Sequence, residues 1–567
     1  MKEAVFETIK KALGKLNVKL EDEKISSFIE IPKDYSKGDF AFTCFFLSGI
    51  MKMPPHEIAI QIRKAIGNAP LEFSDIETAG AYINFFLNRK SLAYQIIKKI
   101  KKEGDNFGKN NGGKKEKTMI EFPSPNTNKP LHLGHLRNMS LGESLSRISE
   151  FNGEKVVRAN LNNDKGIHIC KSILAYKKWG KGKKPSEKLK SDHLVGNFYV
   201  LYSKKEKENP GIEKEVHDLL GKWEKGDKET VNLWKKMNKW AFQGFNETYK
   251  NFGITHDKEY FESKIYKKGK EIILDGVKKG IFEKLEDGSI KFDLKKWGLG
   301  EKYLLRADGT SLYITQDLYL AYLKQKEFKL TKSYYVVGSE QEYHFRVLFK
   351  ILEKLGIPLK GLKHLSYGMV NLPEGKMKSR EGTVVDADNL IEEMENLAKR
   401  EISKREKISS KELEKRSHTI ALAAIKYFLL KIDIKKDMLF NTKESISLEG
   451  NTGPYLLYSY ARANSILKKS KKEVSSVMPE ELEEKETELI LKTGEFPEII
   501  KKSYNSLDPS LIANYSYELA KIFNEFYHSL DVIGSEKEEF RLGLVDSFKQ
   551  VLKNSLYLLG IDILERM

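Results

Sequence analysis

EFPSPNTNKPLHLGHLR, residues 121–137, is the stretch on which the fold turns. Just upstream, Met119, Ile120 and Phe122 form a short apolar run that reads as a buried strand. Pro123, Ser124, Pro125 and Asn126 break it. From His135 onward Leu136, Met139, Leu145 and Ile148 recur at helical spacing. His132 and His135 therefore flank Gly134 where a strand gives way to a helix. A helix start carries free N–H groups and partial positive charge, both of which favour phosphate. Glycine lets the backbone approach a ligand, and imidazoles donate hydrogen bonds to phosphate oxygens. The stretch predicts a phosphate site built without a Walker-type glycine loop.

Working outward, short β runs alternate with helical stretches: MIEF, KVVRANL, YYVVG, HLSYGMV and TVVDA. Such alternation predicts a parallel sheet with helical crossovers. Residues 106–390 are expected to form this α/β Rossmann-type domain, interrupted near 180–265 by a charged helical insertion. Before it, residues 1–105 read as a small α+β domain, with GDFAFTCFF (38–46) and AGAYINFFL (79–87) as strands around the helical MPPHEIAIQIRKAIG. KEGDNFGKNNGGKKEK (102–117) is glycine- and lysine-rich and reads as a linker. Beyond 390 strand character is lost. Residues 391–440 are expected as a helical connection and 441–567 as an all-α bundle.

At 567 residues the chain calls for two to four domains. No window approaches the ~18 consecutive apolar residues of a membrane helix. The lysine-rich, acid-interrupted N-terminus does not read as a signal peptide. Cys44 and Cys170 lie far apart without a CxxC pair, which argues against zinc and points to a reducing, cytoplasmic setting. Ninety-nine Lys+Arg against 81 Asp+Glu give a formal charge of +18, which suits a polyanionic partner.

A second signal is Gly375-Lys376-Met377-Lys378-Ser379-Arg380-Glu381-Gly382-Thr383, a basic loop flanked by glycines after LSYGMV. Its clustered cations suit a departing pyrophosphate. Here HLGH resembles the HIGH signature of class I aminoacyl-tRNA synthetases, and KMKSR resembles their KMSKS loop with its second lysine displaced. SPNTNKPLHLGHLRN, NDKGIHICKSILAY (163–176), RADGTSLYITQDLYLAY (306–322), VVGSEQEYHF (336–345), NTGPYLLYSYARANSI (451–466) and FNEFYHSLDVI (523–533) resemble the arginyl-tRNA synthetase family in the expected order.

The resemblance implies ATP, Mg²⁺, L-arginine and arginine tRNA as ligands, and a monomer. It implies that Asp317 and Tyr313 meet the guanidinium, with Glu121 a second acidic candidate. Ser124, Asn126 and Gln341 would hold the amino-acid end, and His132 would bind arginine as well, standing between it and the α-phosphate. His132, Gly134, His135, Gly338, Met369, Val370 and Lys376 would line the ATP site. Lys129 would supply charge that the altered Lys376/Lys378 loop lacks. Asn84, Tyr455, Tyr458, Arg462, Asn464, Phe523, Tyr527 and Met567 would meet tRNA, Asn84 and its neighbour Phe86 at the elbow and the others near the anticodon. Taken singly, Tyr313 also reads as an aromatic between sheet and helix, Asp317 as a helix-start charge, Gln341 as a surface amide and His135 as a helix cap. His344 and Cys170 read as structural.

Overall fold

Five strands, Lys117–Glu121, Lys155–Asn162, Lys258–Phe261, Lys332–Gly338 and Gly361–Tyr367, hydrogen-bond into one parallel sheet. The computed structural model describes residues 2–567 except 33, 35–36, 308–311, 358–360, 372–384 and 473–478. Contacts divide the chain into two units: residues 1–107, 463–495 and 521–551, and residues 108–462, 496–520 and 552–567.

The parallel sheet lies in the second unit. Met119 and Ile120 are fully buried, as an apolar run in a sheet covered on both faces must be. Spatially the order is Gly361–Tyr367, Lys332–Gly338, Lys117–Glu121, Lys155–Asn162, Lys258–Phe261. From Lys117–Glu121 the chain builds outward on one side, then returns to build on the other. The switch point falls between Lys117–Glu121 and Lys332–Gly338, where open α/β sheets bind ligands beyond their carboxyl ends.

The helix Leu133–Phe151 follows the first strand and is buried on nearly every face. A Cβ at Gly142 would lie 2.2 Å from the Phe122 ring, so glycine sets this helix tightly on the sheet. Arg137 is fully buried and donates to the Gly368, Met369, Ile434 and Lys436 carbonyls. Asn138 donates to Val336 O. These bonds hold the helix to the segments that border the crevice.

The insertion forms three helices, Ser191–Glu208, Ile212–Glu224 and Lys228–Phe252. Leu194, Phe198, Val216 and Met237 pack with Ile173 of the preceding helix Ile167–Trp179. Its expected end at 265 falls too late, because Lys258–Phe261 is the edge strand of the parallel sheet. A three-stranded antiparallel sheet of Glu283–Lys284, Ile290–Asp293 and Glu301–Leu305 follows, which the sequence did not suggest. TVVDA is not a strand where described: Asp386 caps the helix Ala387–Ser403 by accepting from the Asp388 and Asn389 N–H groups.

The first unit holds a four-stranded antiparallel sheet in the order Ile29–Glu30, Phe40–Thr43, Tyr82–Leu87, Phe73–Ala79. Helices Lys2–Lys15 and Pro55–Ile66 bury Val5, Ile9, Ile58 and Ile62 with Phe42, Ile83 and Phe85 of the sheet. In the same unit Arg541 donates to Glu486 at 2.8 Å, both side chains being buried. Beyond Ala387 the described chain is helical apart from the two-residue strand Met438–Leu439. Among the described residues no helix is long and apolar enough to cross a membrane.

Candidate functional site

The HLGH turn follows the strand Lys117–Glu121 by way of the SPN segment and opens the helix Leu133–Phe151, whose Asn138 is bonded to Val336 across the switch point. His132 is extended (φ −140°, ψ 173°) and caps the helix. Its Nδ1 accepts from Gly134 N at 3.2 Å, while His135 Nδ1 accepts from His132 N at 3.1 Å. This reciprocal capping box fixes both imidazoles. With each Nδ1 accepting, the ring proton resides on Nε2, so both rings offer an Nε2–H donor. The ring centroids are 3.9 Å apart. Burial, then the charge of Lys129, pushes the His132 pKa down to about 3, and burial, His132 and Lys129 hold His135 well below 6.5. Both are neutral donors at ordinary pH. A Cβ at Gly134 would stand 3.0 Å from the His132 ring, so a larger residue there would press on the ring. Burial also lowers the Lys129 pKa, leaving a poorly solvated cation three residues before His132.

The SPN segment is held against the neighbouring strand. Ser124 N donates to Asn160 Oδ1, Leu161 N donates to Ser124 Oγ, and Asn163 Nδ2 donates to Ser124 O. Asn126 bridges Asn163 and leaves its side chain exposed. Across the switch point, Gly338 ends its strand and Gln341 closes a short 3-10 turn, exposed. Among the described residues a Cβ at Gly338 would meet only Met369 Sδ, at 3.8 Å, so these two expected nucleotide residues lie together. Val370 is buried and pairs with Met438, so only its backbone remains to meet a ligand. Lys376 and Lys378 lie outside the described residues.

The acidic residues divide differently from expectation. Asp317, on the helix Tyr313–Phe328, is partly exposed, and its Oδ2 lies 2.7 Å from His344 Nε2. His344, expected as structural, is thus the group that orients Asp317. Tyr313 begins that helix; its side chain lies outside the described residues. Glu121 is buried, with one carboxylate oxygen already paired. It accepts a short hydrogen bond from Lys324, fully buried against the Tyr335 ring. Breaking a buried pair by removing one partner costs about 3–5 kcal/mol. Lys324→Met is therefore expected to lower stability by about that amount in denaturant unfolding, and Lys324→Met with Glu121→Leu to recover most of it.

The residue the sequence reading missed is Glu262. It follows the edge strand Lys258–Phe261 at the carboxyl end of the sheet and is 7% exposed. Among the described residues its carboxylate has no hydrogen-bond or ion-pair partner. Burial first, against Lys165 and with Asp164 and Asp317 adding, pushes its pKa up to about 7. A cation arriving beside it would drive it to the charged form. Its signal in the sequence is a glutamate at a strand end, but KEYF falls within the segment 180–265 expected as the insertion.

Of the residues expected to meet RNA, Asn84 (6% exposed), Asn464 (4%) and Phe523 (0%) are buried. Phe523 stacks on Phe548 at 3.8 Å, so it packs its helix and is not free to stack on a base. Tyr527 is exposed. Tyr455, Tyr458, Arg462 and Met567 are half-buried, with Arg462 donating to Tyr458 Oη at 2.9 Å and Tyr455 meeting Tyr517 at 5.7 Å. Cys44 and Cys170 are buried thiols whose pKa values burial pushes up to about 12.

Three family models match the chain: the catalytic domain of class I tRNA synthetases (R) over residues 96–442, the DALR anticodon binding domain over 456–567, and the arginyl tRNA synthetase N terminal domain over 3–87. An arginine–tRNA ligase of Borrelia duttonii is 44% identical over all of this chain and 99% of its own. One from Treponema denticola is 46% identical over 95% of this chain and 94% of its own. The solved arginyl-tRNA synthetase of Thermus thermophilus superposes over the whole of both chains with a TM-score of 0.82 at 23% identity, a likeness of fold.

Proposed function

Because the chain belongs to the arginyl-tRNA synthetase family, we propose that it is an arginine–tRNA ligase whose chemistry takes place at the HLGH turn. L-Arginine is activated by ATP to arginyl-adenylate and pyrophosphate, then passed to the 3′-terminal adenosine of arginine tRNA. The observation that carries this reading is the pair of neutral, Nε2–H-bearing imidazoles at the start of the helix bonded across the switch point.

In the first step a carboxylate oxygen of arginine attacks the α-phosphorus and the bond to the β-phosphate oxygen breaks. Such a displacement needs positioning and charge stabilisation more than acid–base work. His132 and His135 donate to the α-phosphate oxygens as charge builds there, with the helix start behind them. Lys129, with Lys376 and Lys378 of the basic loop, offsets charge on the leaving pyrophosphate. Gly338, Met369 and the Val370 backbone border the adenosine. Ser124, Asn126 and Gln341 hold the amino-acid end. Asp317, oriented by His344, and Glu262 flank the guanidinium, with Tyr313 one turn before Asp317; Glu121, held by Lys324 through one oxygen, remains a further acidic candidate. In the second step the 2′-hydroxyl of the terminal ribose attacks the adenylate carbonyl, AMP leaves, and the hydroxyl proton passes to the departing phosphate or to solvent.

Mg²⁺ enters with the nucleotide, as MgATP. The acidic groups beside the HLGH turn, Asp386 and Asp388, are already held by Lys190, His193 and backbone N–H groups, so they do not suit a resident ion. For tRNA, the exposed Tyr527 and the half-buried Tyr455, Tyr458 and Arg462 remain suited to base contacts. The charge of +18 supplies a general attraction to RNA. The family resemblance implies that tRNA completes the site before activation. ATP–pyrophosphate exchange is accordingly expected to be weak without tRNA and to rise at least tenfold when arginine tRNA is added. Full exchange without tRNA would contradict that order.

A further inference from the structure

The insertion helix Ser191–Glu208 meets the segments on either side of the HLGH turn, at Pro130 and at Asp386 and Asp388. A Cβ at Gly196 would lie 2.5 Å from Pro130 Cδ, so the helix rests directly on the proline two residues before His132. From its first turn, His193 Nε2 reaches Asp386 Oδ2 at 3.2 Å and Asp388 Oδ2 at 3.1 Å. The segment carrying those carboxylates is in turn bonded to the HLGH backbone. Leu133 N donates to Val385 O, and Ala387 N donates to Leu131 O, both at 3.0 Å, bracketing His132.

Among the described residues, the charged groups at this junction hold one another. Lys190 Nζ lies 2.7 Å from Asp388 Oδ2 and donates to Thr248 Oγ1 at 2.6 Å; Thr248 Oγ1 donates to Asp388 Oδ1 at 2.9 Å. Asp192 is fully buried, accepts from His193 N, and presses on a helix where only glycine fits: a Cβ at Gly244 would stand 2.1 Å from its Oδ1. Asp192, His193 and Asp388 are grouped closely enough to hold a metal, but the Lys190 ammonium already sits against Asp388. The cluster therefore acts as a joint between chain segments.

We propose that His193 is a positioning residue for the HLGH turn, fixing His132 and His135 through the Val385–Ala387 segment without touching substrate. This rests on the function proposed above. Burial opposes charge on His193, but the hydrogen bond to Asp388 and the nearby Asp386 and Asp192 carboxylates outweigh it and raise its pKa, which strengthens the joint. Asp317, Glu262 and Gln341 stand on other elements, so loosening the joint misplaces the phosphate donors while leaving the arginine pocket intact.

The test is tRNA-dependent ATP–pyrophosphate exchange with the full chain, arginine and arginine tRNA. His193→Ala is expected to lower kcat roughly tenfold, since small misplacements at a reacting centre are costly, with KM for arginine within about twofold of wild type. His193→Gln keeps a donor near the Nε2 position and is expected to recover most of kcat. Gly196→Ala, which drives the helix off Pro130, should lower kcat in the same way. Wild-type kcat in His193→Ala, equal impairment of the Ala and Gln variants, or a loss confined to KM would overturn the proposal. Should His193→Ala not fold, the Gln and Gly196→Ala variants decide by the same criteria. A wild-type protein that forms no adenylate would bring down the underlying function too, whereas an active wild type matched by His193→Ala refutes the joint alone.

Discussion

Asp317→Ala is expected to lower kcat/KM for arginine by about 30- to 100-fold at saturating tRNA, or roughly 2–3 kcal/mol, the lower part of the range for truncating one partner of a hydrogen-bonded charge pair. The lower part applies because Asp317 is partly open to solvent. His344 holds one of its oxygens, leaving the other to meet a guanidinium N–H in fixed geometry. Asp317→Asn keeps the shape but removes the charge, and should lose nearly as much. Glu262→Gln should add to the loss less than independently, since the two carboxylates interact. Arginine kinetics near wild type in Asp317→Ala would mean the guanidinium is bound elsewhere.

His132→Ala is expected to reduce adenylate formation by about 10²–10³-fold, the usual effect of removing one preorganised donor to a developing charge, while tRNA affinity stays within about twofold. Equal losses in both would indicate a disrupted fold. His132 is already neutral above pH 4, so its own titration should not shape the activity profile between pH 6 and 9. Stability behaves differently. The folded protein binds this proton only near pH 3, whereas the unfolded chain binds it near 6.5. Between those values the unfolded state holds more protons, so stability present above 6.5 is lost as pH falls through that window. His132→Ala should flatten this acid limb in unfolding measured from pH 7 to 4.

Legibility in the sequence followed the strength of local signals. The HLGH turn could be read directly, because a strand's apolar run, two prolines and a helical repeat meet within 20 residues of one another. The capping box could not be read, since it depends on which ring nitrogen meets which N–H group. Four of the five parallel strands carry apolar runs; the fifth, KEYF, has charged residues at an edge and was lost in a lysine-rich background, taking Glu262 with it. The pairing of Glu121 with Lys324 and of Asp317 with His344 joins residues 203 and 27 positions apart, beyond the reach of periodicity. Phe523 shows the opposite error: an aromatic within a motif suits base stacking and core packing equally, and only its zero exposure decides.

The decisive measurement is arginylation of purified arginine tRNA with ATP and Mg²⁺, run beside a panel of the other standard amino acids and with Asp317→Ala as control. Charging with arginine alone, sharply reduced in the control, is the expected result. Charging with a different amino acid, or no charging and no adenylate with tRNA present, would contradict the assignment of this crevice to arginine activation.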